Sequence, residues 1–593
     1  MAQLIKKSDS SVERFEIHEG GADVARTPAT LFRAQATLSW LTVAAGLVTM
    51  AVAAYCVVLA WTPVPYWDQW SSVESMLHTM PAAPLHWLWM QHNEHRILVP
   101  KLFLLTEYFV FHGQQKFLLC STYLTQCASL ALLVWAFYRF GKMTRLLWIT
   151  CAGVAACLLF APIQIDNLAV GFQIAFVVCL FFQIASSVAL LVSEQDGPEQ
   201  GVRWGWLAVC VICGVLAMYS MAAGVMTLPL VIAAAIALRM PRKAIAVLVI
   251  CFLAALGSYL YHYVSPPGHT NPISALRRPV QMAEYVAIYF GGALFNQRLK
   301  LDALAGALGL LVSACLGAAT LWRKRSPFPV LLVMLQAFCV GTALLSALGR
   351  LDFGVAQAVA SRYATFGLLF WLSLVVMVVW RASQSIAFSR RVVGLQALLL
   401  LCVALGAVEF RPAVRHVLQQ ALRDNAGGAA LMAGVADPDA LGNIFPLPQF
   451  VLDLTPTLRQ KQWTVFGTRE FQTIGQPLSN VYSETSPQAC MGTVDIVQAV
   501  GAPTNAGLRL MGWAVDSRTM GPPKRIVPVV DGVITGSAAI GVFRGDVKSV
   551  MHTRKADVGW IAFVPDKVSG KKIRFYAITK RGGACEFAQK VMP

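Results

Sequence analysis

The sequence has few charged residues for its length. Asp, Glu, Lys and Arg make up 13% of its 593 residues, whereas they make up about 25% of an ordinary soluble domain. Hydrophobic residues reach 57%, and the mean hydropathy is +0.59. This composition excludes a soluble fold for most of the chain and predicts a polytopic α-helical membrane protein.

The sequence also lacks a signal-peptide pattern, a nucleotide-binding motif and a cluster of basic residues. Residues 1–37 carry five basic and five acidic side chains and no apolar run, so they do not resemble a signal peptide and are predicted to form a disordered cytoplasmic tail. The chain has no G-x-x-x-x-G-K-[ST] motif, so we predict no nucleotide site. The net charge of +18 is scattered along the chain, which argues against nucleic acid as a partner.

The chain has instead a series of apolar runs near the 20 residues needed to cross a bilayer. We predict about eleven spans, at 38–61, 117–138, 146–162, 169–193, 205–219, 225–238, 244–264, 303–322, 328–348, 364–380 and 392–410. The pair within 205–238 is short for two crossings and is interrupted by SMAAG, so we expect short or broken helices there. Residues 281–296 are predicted to form an outer-face or re-entrant helix.

Basic residues favour one orientation of these spans. With the N-terminus inside, the inner segments hold Lys6, Lys7, Arg14, Arg26, Arg33, Arg139, Lys142, Arg145, Arg203, Arg239, Arg242, Lys243, Arg323, Lys324, Arg325, Arg381, Arg390 and Arg391. The outer loops hold only Arg96, Lys101, Lys116, Arg277, Arg278, Arg298, Lys300, Arg350 and Arg362. The positive-inside rule therefore predicts a cytoplasmic N-terminus and a periplasmic C-terminus in a bacterial inner membrane.

The composition becomes soluble after residue 410. Residues 411–488 are predicted to form a periplasmic connector, helical and then irregular, and 489–593 alternate as short strands do, which predicts a β-sandwich. Cys490 and Cys585 bracket this domain, which favours a disulfide over two buried thiols. Trp513 and Trp560 could stack on sugars, but we favour a place in the sandwich core.

Polar residues gather on the predicted outer face. Ionisable groups beside membrane spans are costly and often mark function. These residues are Asp68, Glu74, His92, Asn93, Glu94, His95, Arg96, Gln164, Asp166, Asn167, Gln173, Arg350, Asp352, Arg362 and Tyr363. A carboxylate flanked by tryptophans, as Asp68 is, could deprotonate a hydroxyl. Arginines with amide and imidazole donors could hold a phosphate.

Four motifs add a family resemblance: YWDQW, QHNEHRI, IDNLAVGFQIAF and GRLDFGVAQAVASRY. Together with the outer soluble domain, they resemble a bacterial group within the GT-C superfamily of polyprenyl-phosphate-sugar-dependent glycosyltransferases, over most of residues 38–410. The resemblance implies that Asp68 is the catalytic base. The first loop has no adjacent acidic pair, so Glu94 is the competing candidate.

The resemblance also implies the substrates. A polyprenyl-phosphate-linked sugar would be the donor, and a glycan, a lipid-linked saccharide or a protein would be the acceptor. His92, Asn93, His95, Arg96, Gln173, Arg350, Arg362 and Tyr363 are the predicted substrate-binding residues. No cofactor is required by this chemistry, although His92, Glu94 and His95 leave a divalent cation open.

Other interpretations remain open at this point. Asp68 could cap a helix beginning near Ser71, and Arg350 and Arg362 could anchor lipid headgroups. Asp166, Asn167 and Gln173 could form a clasp between helices. A transporter or flippase of a lipid-linked sugar and a non-catalytic envelope assembly protein are the rival functions.

Overall fold

The computed structural model describes residues 21–194, 201–266, 270–295, 298–322, 326–384, 389–501, 505–568 and 570–591. Its first seventeen helices are α1 Gly21–Ala60, α2 Asp68–His78, α3 Pro84–Trp89, α4 Leu98–Val110, α5 Lys116–Gly141, α6 Arg145–Leu159, α7 Ile165–Ala169, α8 Ile174–Ser193, α9 Trp204–Met218, α10 Thr227–Ala237, α11 Arg242–Leu260, α12 Pro272–Leu276, α13 Pro279–Phe295, α14 Leu299–Trp322, α15 Pro327–Arg350, α16 Ala364–Ser383 and α17 Ser389–Ala407. Every predicted span overlaps one of these helices.

Within the described ranges, eight helices are long and apolar enough to cross a membrane. A ninth crossing would come from α6 and the segment Pro162–Ala169, which pass the same test together but are bent by 47°. A multi-pass membrane protein is therefore plausible. Helices α8, α15 and α16 are the most deeply buried of the eight and form the centre of the bundle.

The predicted count of eleven spans is not confirmed. Residues 205–238 form α9 and α10, separated by a turn at Ala222–Met226, and each helix is shorter than a full crossing. Helix α1 begins at Gly21, so the prediction of a disordered tail to residue 37 is wrong for 21–37. Several predicted tail and loop charges lie outside the described residues, namely Lys6, Lys7, Arg14, Arg323, Lys324 and Arg325.

Helix α13 corresponds to the predicted outer-face or re-entrant helix. It has 17 residues and ten of them are buried. It packs closely on α14, because a Cβ at Gly306 would lie 1.8 Å from the Ala287 carbonyl oxygen, and one at Gly291 would lie 1.8 Å from that of Asp302. Glycine is needed at this crossing because no side chain fits between the two backbones.

The connector and the C-terminal domain follow. The remaining helices are α18 Phe410–Ala433, α19 Pro438–Ile444, α20 Pro448–Lys461, α21 Arg469–Thr473, α22 Leu478–Val481 and α23 Gly545–Met551. The strands are β1 Cys490–Val500, β2 Gly507–Asp516, β3 Arg525–Val530, β4 Val533–Ile534, β5 Ser537–Val542, β6 Gly559–Pro565, β7 Lys572–Ile578 and β8 Ala584–Val591. The connector is thus more helical than expected.

The strands form two four-stranded antiparallel sheets, in the orders β1-β2-β6-β5 and β4-β3-β7-β8. Trp560 on one sheet stacks on Phe575 of the other at 5.6 Å, so the sheets pack face to face as a sandwich. Trp560 is fully buried, as the core interpretation predicts, and Trp513 is partly buried. A disulfide joins Cys490 to Cys585.

The connector fixes the sandwich to the helical bundle. Helix α18 contacts α1 on one side and strands β5 and β6 on the other. Arg509 of β2 pairs with Asp437 at 3.1 Å and with Asp439 at 2.9 Å at the start of α19. The Trp67 amide, directly before Asp68, donates to the Ile444 carbonyl at 2.9 Å. The connector therefore also supports the loop between α1 and α2.

Candidate functional site

The YWDQW motif forms the start of α2. Asp68 is the first residue of this helix and is exposed, whereas Gln69 and Trp70 are buried. The helix cap is Trp67, and no side chain caps it, so the suggestion that Asp68 caps a helix beginning near Ser71 is wrong. A carboxylate in the first turn is also favoured by the helix dipole. The Asp68 carboxylate makes no hydrogen bond or ion pair with a described residue, which leaves it open to a ligand.

The HNEHR motif forms a tight turn. His92 and His95 exchange two backbone hydrogen bonds, of 2.8 and 3.0 Å. Asn93 at the tip has φ of +50°, a conformation that asparagine tolerates better than most residues. The hydroxyls of Tyr259 and Tyr263 donate to the Glu94 carbonyl at 3.3 and 3.4 Å. The end of α11 and the residues after it therefore hold this turn in place.

The Glu94 carboxylate joins two of the four motifs. Arg350, the last residue of α15, donates to Glu94 Oε1 at 2.6 Å, and His95 Nε2 lies 3.5 Å from the same oxygen. Burial alone would raise the pKa of Glu94, but His95 and Arg350 outweigh it and hold the pKa at about 2. The Ala222 amide donates to His95 Nδ1 at 3.3 Å, which leaves Nε2 to donate toward Glu94.

His92 is near enough to both predicted carboxylates for their charges to affect its pKa. Burial lowers its pKa to about 4, and Asp68 and Glu94 oppose that shift only in part. Its Nδ1 lies 3.4 Å from the Ser72 hydroxyl, and its ring lies 5.1 Å from that of Phe172. His92 is therefore neutral near pH 7.

Gln173 follows Phe172 directly along the chain. Its Oε1 is buried and has no hydrogen-bond partner among the described residues. The motif IDNLAVGFQIAF thus places Phe172 against the HNEHR turn, and it leaves an amide oxygen nearby without a protein partner.

Arg362 and Tyr363 form a second group. Tyr363 is buried and stacks on Tyr289 at 4.8 Å, and the Arg362 guanidinium lies 5.3 Å from the Tyr363 ring. Burial raises the pKa of Tyr285, and Tyr363 raises it further, whereas Arg350 and Arg362 act in the opposite direction. Tyr285 therefore lies among these residues, and the Arg362 Nε has no hydrogen-bond partner in the described part of the chain.

Arg96, one of the predicted substrate-binding residues, is instead used by the fold. Its guanidinium donates to the carbonyls of Tyr259 and Trp89, each at 2.6 Å, and to that of Tyr261. It also lies 5.2 Å from the Trp89 ring. With these partners inside the protein, the Arg96 side chain anchors the HNEHR turn to the end of α11 and is not free to bind a substrate.

Lys101 has a similar role that the sequence did not reveal. It is buried, and its Nζ donates to the Met90 carbonyl at 2.7 Å and to the Trp87 carbonyl. Burial lowers its pKa to about 7, with a smaller contribution from Arg96. In the sequence, only the apolar residues around Lys101, LVPKLFLL, indicated that this side chain is buried.

Asn167 forms a clasp between helices, which is one of the interpretations that the sequence left open. Its Nδ2 donates to the Ser361 carbonyl at 2.8 Å, the Gln164 side chain at 3.0 Å and the Thr365 hydroxyl at 3.1 Å. Asp166 lies apart from this clasp, 3.5 Å from His416. Asp166 and His416 line a small cavity of about 50 Å³, together with Asp424 and Gln420 of α18. Sequence reasoning missed these α18 residues because it treated the connector as architecture.

No protein family, curated protein or solved structure matches this chain. Function must therefore be argued from the residues themselves. Among the described residues, no group of three or more His, Cys, Asp or Glu side chains could hold a metal ion. The polar groups of the sequence motifs are instead linked in pairs: Glu94 contacts Arg350 and His95, the charge of Asp68 acts on His92, and that of Tyr363 acts on Arg350.

Proposed function

We propose that this chain is an inverting, polyprenyl-phosphate-sugar-dependent glycosyltransferase of the bacterial inner membrane. The observation that supports it best is the pair between Glu94 and Arg350, which lie 256 residues apart in the chain. It joins the second and the last of the four motifs, QHNEHRI and GRLDFGVAQAVASRY, at one end of α15. The family resemblance supports the same function.

The topology belongs to the same proposal. The eight candidate spans, the bent α6 segment and the two shorter apolar helices α9 and α10 would together give eleven crossings. The N-terminus would then be cytoplasmic, and the sandwich would be periplasmic. The disulfide supports this orientation, because such bonds persist in oxidising compartments.

Asp68 is the proposed catalytic base, because its carboxylate is exposed and has no partner among the described residues. It would take the proton from an acceptor hydroxyl as the hydroxyl oxygen attacks the anomeric carbon. The bond from that carbon to the donor phosphate breaks, and the phosphate leaves with the electron pair. A single displacement of this kind inverts the anomeric centre.

Glu94 has a different role in this proposal. A carboxylate with a pKa of about 2 is a weak base near pH 7, so Glu94 positions the Arg350 guanidinium instead. Arg350 and Arg362 would hold the donor phosphate, because guanidinium groups suit phosphate oxygens. The Tyr363 and Tyr285 hydroxyls lie beside them as further donors, and Gln173 and His92 would contact the sugar.

A transfer assay tests the proposal. Purified protein in nanodiscs would receive a panel of polyprenyl-phosphate monosaccharides with lipid-linked, glycan and peptide acceptors. Release of free polyprenyl phosphate together with a glycosylated acceptor, and inversion of the anomeric centre by NMR, are the expected results. Retention of the anomeric configuration would contradict single displacement by a base.

The break between α9 and α10 favours a second candidate, a flippase of a lipid-linked sugar. Transporters often use discontinuous helices at their substrate site, and the amide of Ala222 in this break contacts His95 of the candidate site. Movement of a fluorescent lipid-linked sugar across proteoliposomes without any transfer product would support the flippase and contradict the transferase.

A further inference from the structure

A second cavity lies at the other end of helix α1. It has a volume of about 690 Å³, within the range of about 300 to 1,000 Å³ that is common for ligand sites. It is lined by Phe32, Gln35, Ala36, Trp40, Thr144, Arg145, Leu146, Leu147, Ile149, Ser383 and Val392. We call it the α1–α6 groove. Helix α1 rises about 30 Å between Trp40 and its end at Ala60, so the groove is far from Asp68.

The groove has rigid walls. Gln396 of α17 donates to the Thr150 hydroxyl of α6 at 2.6 Å and to the Ser39 hydroxyl of α1 at 3.1 Å. The Thr150 and Ser39 hydroxyls are themselves 3.1 Å apart. These three side chains are buried and link the three helices that form most of the lining. The groove is therefore built into the helix packing.

The mouth of the groove carries charge of one sign. Arg145 lines the groove, and the exposed residues Arg33, Lys142, Arg390 and Arg391 lie within two positions along the chain of residues that line it. The segments 30–40, 139–150 and 381–396 contain no Asp or Glu. Most of the lining is apolar, and Phe32 and Trp40 are exposed. A ligand that suits this surface has a negatively charged head and an apolar tail.

We propose that the α1–α6 groove binds one anionic diacyl phospholipid, of the phosphatidylglycerol kind. Its phosphate would lie against Arg145, with Arg33, Gln35 and Thr144 as further donors. An acyl chain would lie along Trp40 and Phe32. Basic residues at a membrane surface attract anionic headgroups, and Trp commonly sits at the headgroup level. This lipid site is independent of the proposed glycosyl transfer.

Native mass spectrometry of the full chain in detergent tests this site. Phosphatidylglycerol and phosphatidylcholine would be titrated against wild type, the double variant Arg33→Gln with Arg145→Gln, and a control, Arg242→Gln with Lys243→Gln. The control pair is exposed at the start of α11 and is absent from the lining of the groove. We expect phosphatidylglycerol affinity to fall roughly 10- to 30-fold in the groove variant and to change little in the control.

A second variant keeps every charge and tests whether the lipid occupies the cavity itself, with the unfolding midpoint measured beside it. Ala36→Trp fills the groove, and we expect it to lose bound phosphatidylglycerol as well. Equal binding of the two lipids by wild type, or equal losses in both double variants, would overturn the site. Tighter phosphatidylglycerol binding after deletion of residues 2–20 would assign the groove to that segment and would also overturn the proposal.

Discussion

Among single side chains, the Glu94–Arg350 pair carries most of the argument. Both side chains are about one-fifth exposed, at 21%. An ion pair shielded to this degree is stronger than a surface pair, since water screens it less. The Arg278–Asp352 pair lies near the same end of α15 with side chains that are 33% and 50% exposed, so it serves as a comparison.

We predict a coupling free energy of about 1 to 2 kcal/mol between Glu94 and Arg350. The measurement is a double-mutant cycle of Glu94→Gln and Arg350→Gln, followed by unfolding in detergent. Arg278→Gln with Asp352→Asn is the matched cycle, and we expect less than about 1 kcal/mol there because the pair is more exposed. Equal coupling in the two cycles would contradict the special role of Glu94.

His92 makes the folding stability of the protein depend on pH below about 6.5. Its pKa is about 4 in the folded protein and about 6.5 in an unfolded chain. Between about pH 4 and 6.5 the unfolded state binds more protons than the folded state. The contribution of neutral His92 to folding stability is therefore complete above about pH 6.5 and is lost as the pH falls toward 4. We predict that His92→Gln flattens the fall in unfolding midpoint between pH 6.5 and 4.

The control for this pH measurement is His78→Gln, which changes an exposed histidine at the end of α2. Its pH profile should follow that of wild type. If the His92→Gln profile also followed wild type, the neutral buried imidazole beside Asp68 and Glu94 would be refuted.

Between helices, α13 and α14 approach each other closely at two glycines. We predict that Gly306→Ala destabilises the protein by about 1 to 3 kcal/mol, because the added Cβ would force the helices apart at the Ala287 carbonyl. Gly317→Ala in the same helix is the control, since its Cβ would have a nearest neighbour at 3.8 Å. Unfolding in detergent compares them, and similar midpoints would contradict this packing.

The sequence predicted where helices lie better than how they run. Each span predicted from hydropathy overlaps a helix of the structure, because apolar runs of this length favour helices in a bilayer. The short pair predicted within 205–238 is confirmed by α9 and α10. The bend after Leu159 was not predicted, since it depends on contacts with other helices. A helix beginning near Ser71 was considered, and α2 begins three residues earlier, at Asp68. Helices α3 and α4 were missed, because only the polar motif between them was considered.

For the candidate site, the sequence predicted several residues but not the contacts that they make. Glu94, Arg350 and Tyr363 were predicted as functional residues, and the structure brings them together. Arg96 looked equivalent to Arg350 in sequence, but only the fold reveals that three carbonyls occupy its guanidinium. Tyr285 and Tyr289 were missed because the Tyr spacing in EYVAIYF reads as an ordinary helix face.

For the chain as a whole, the disulfide ties the two ends of the sandwich, 95 residues apart. We predict that Cys490→Ser with Cys585→Ser destabilises this domain by about 2 to 5 kcal/mol, because the unfolded chain gains freedom. Calorimetry of the full chain measures it. Cys315→Ser with Cys402→Ser, at two exposed free thiols, should leave the transition unchanged, and an unchanged transition in both variants would contradict a structural disulfide.

The most direct measurement is the single-turnover transfer rate of Asp68→Asn with a polyprenyl-phosphate sugar, next to Glu74→Gln as the control. Glu74 lies on the same helix, α2, and has no role in the proposed site. Loss of a catalytic base predicts a rate about 100-fold or more below wild type for Asp68→Asn at unchanged unfolding midpoint, and a near-normal rate for Glu74→Gln. Near-normal transfer by folded Asp68→Asn would contradict Asp68 as the base.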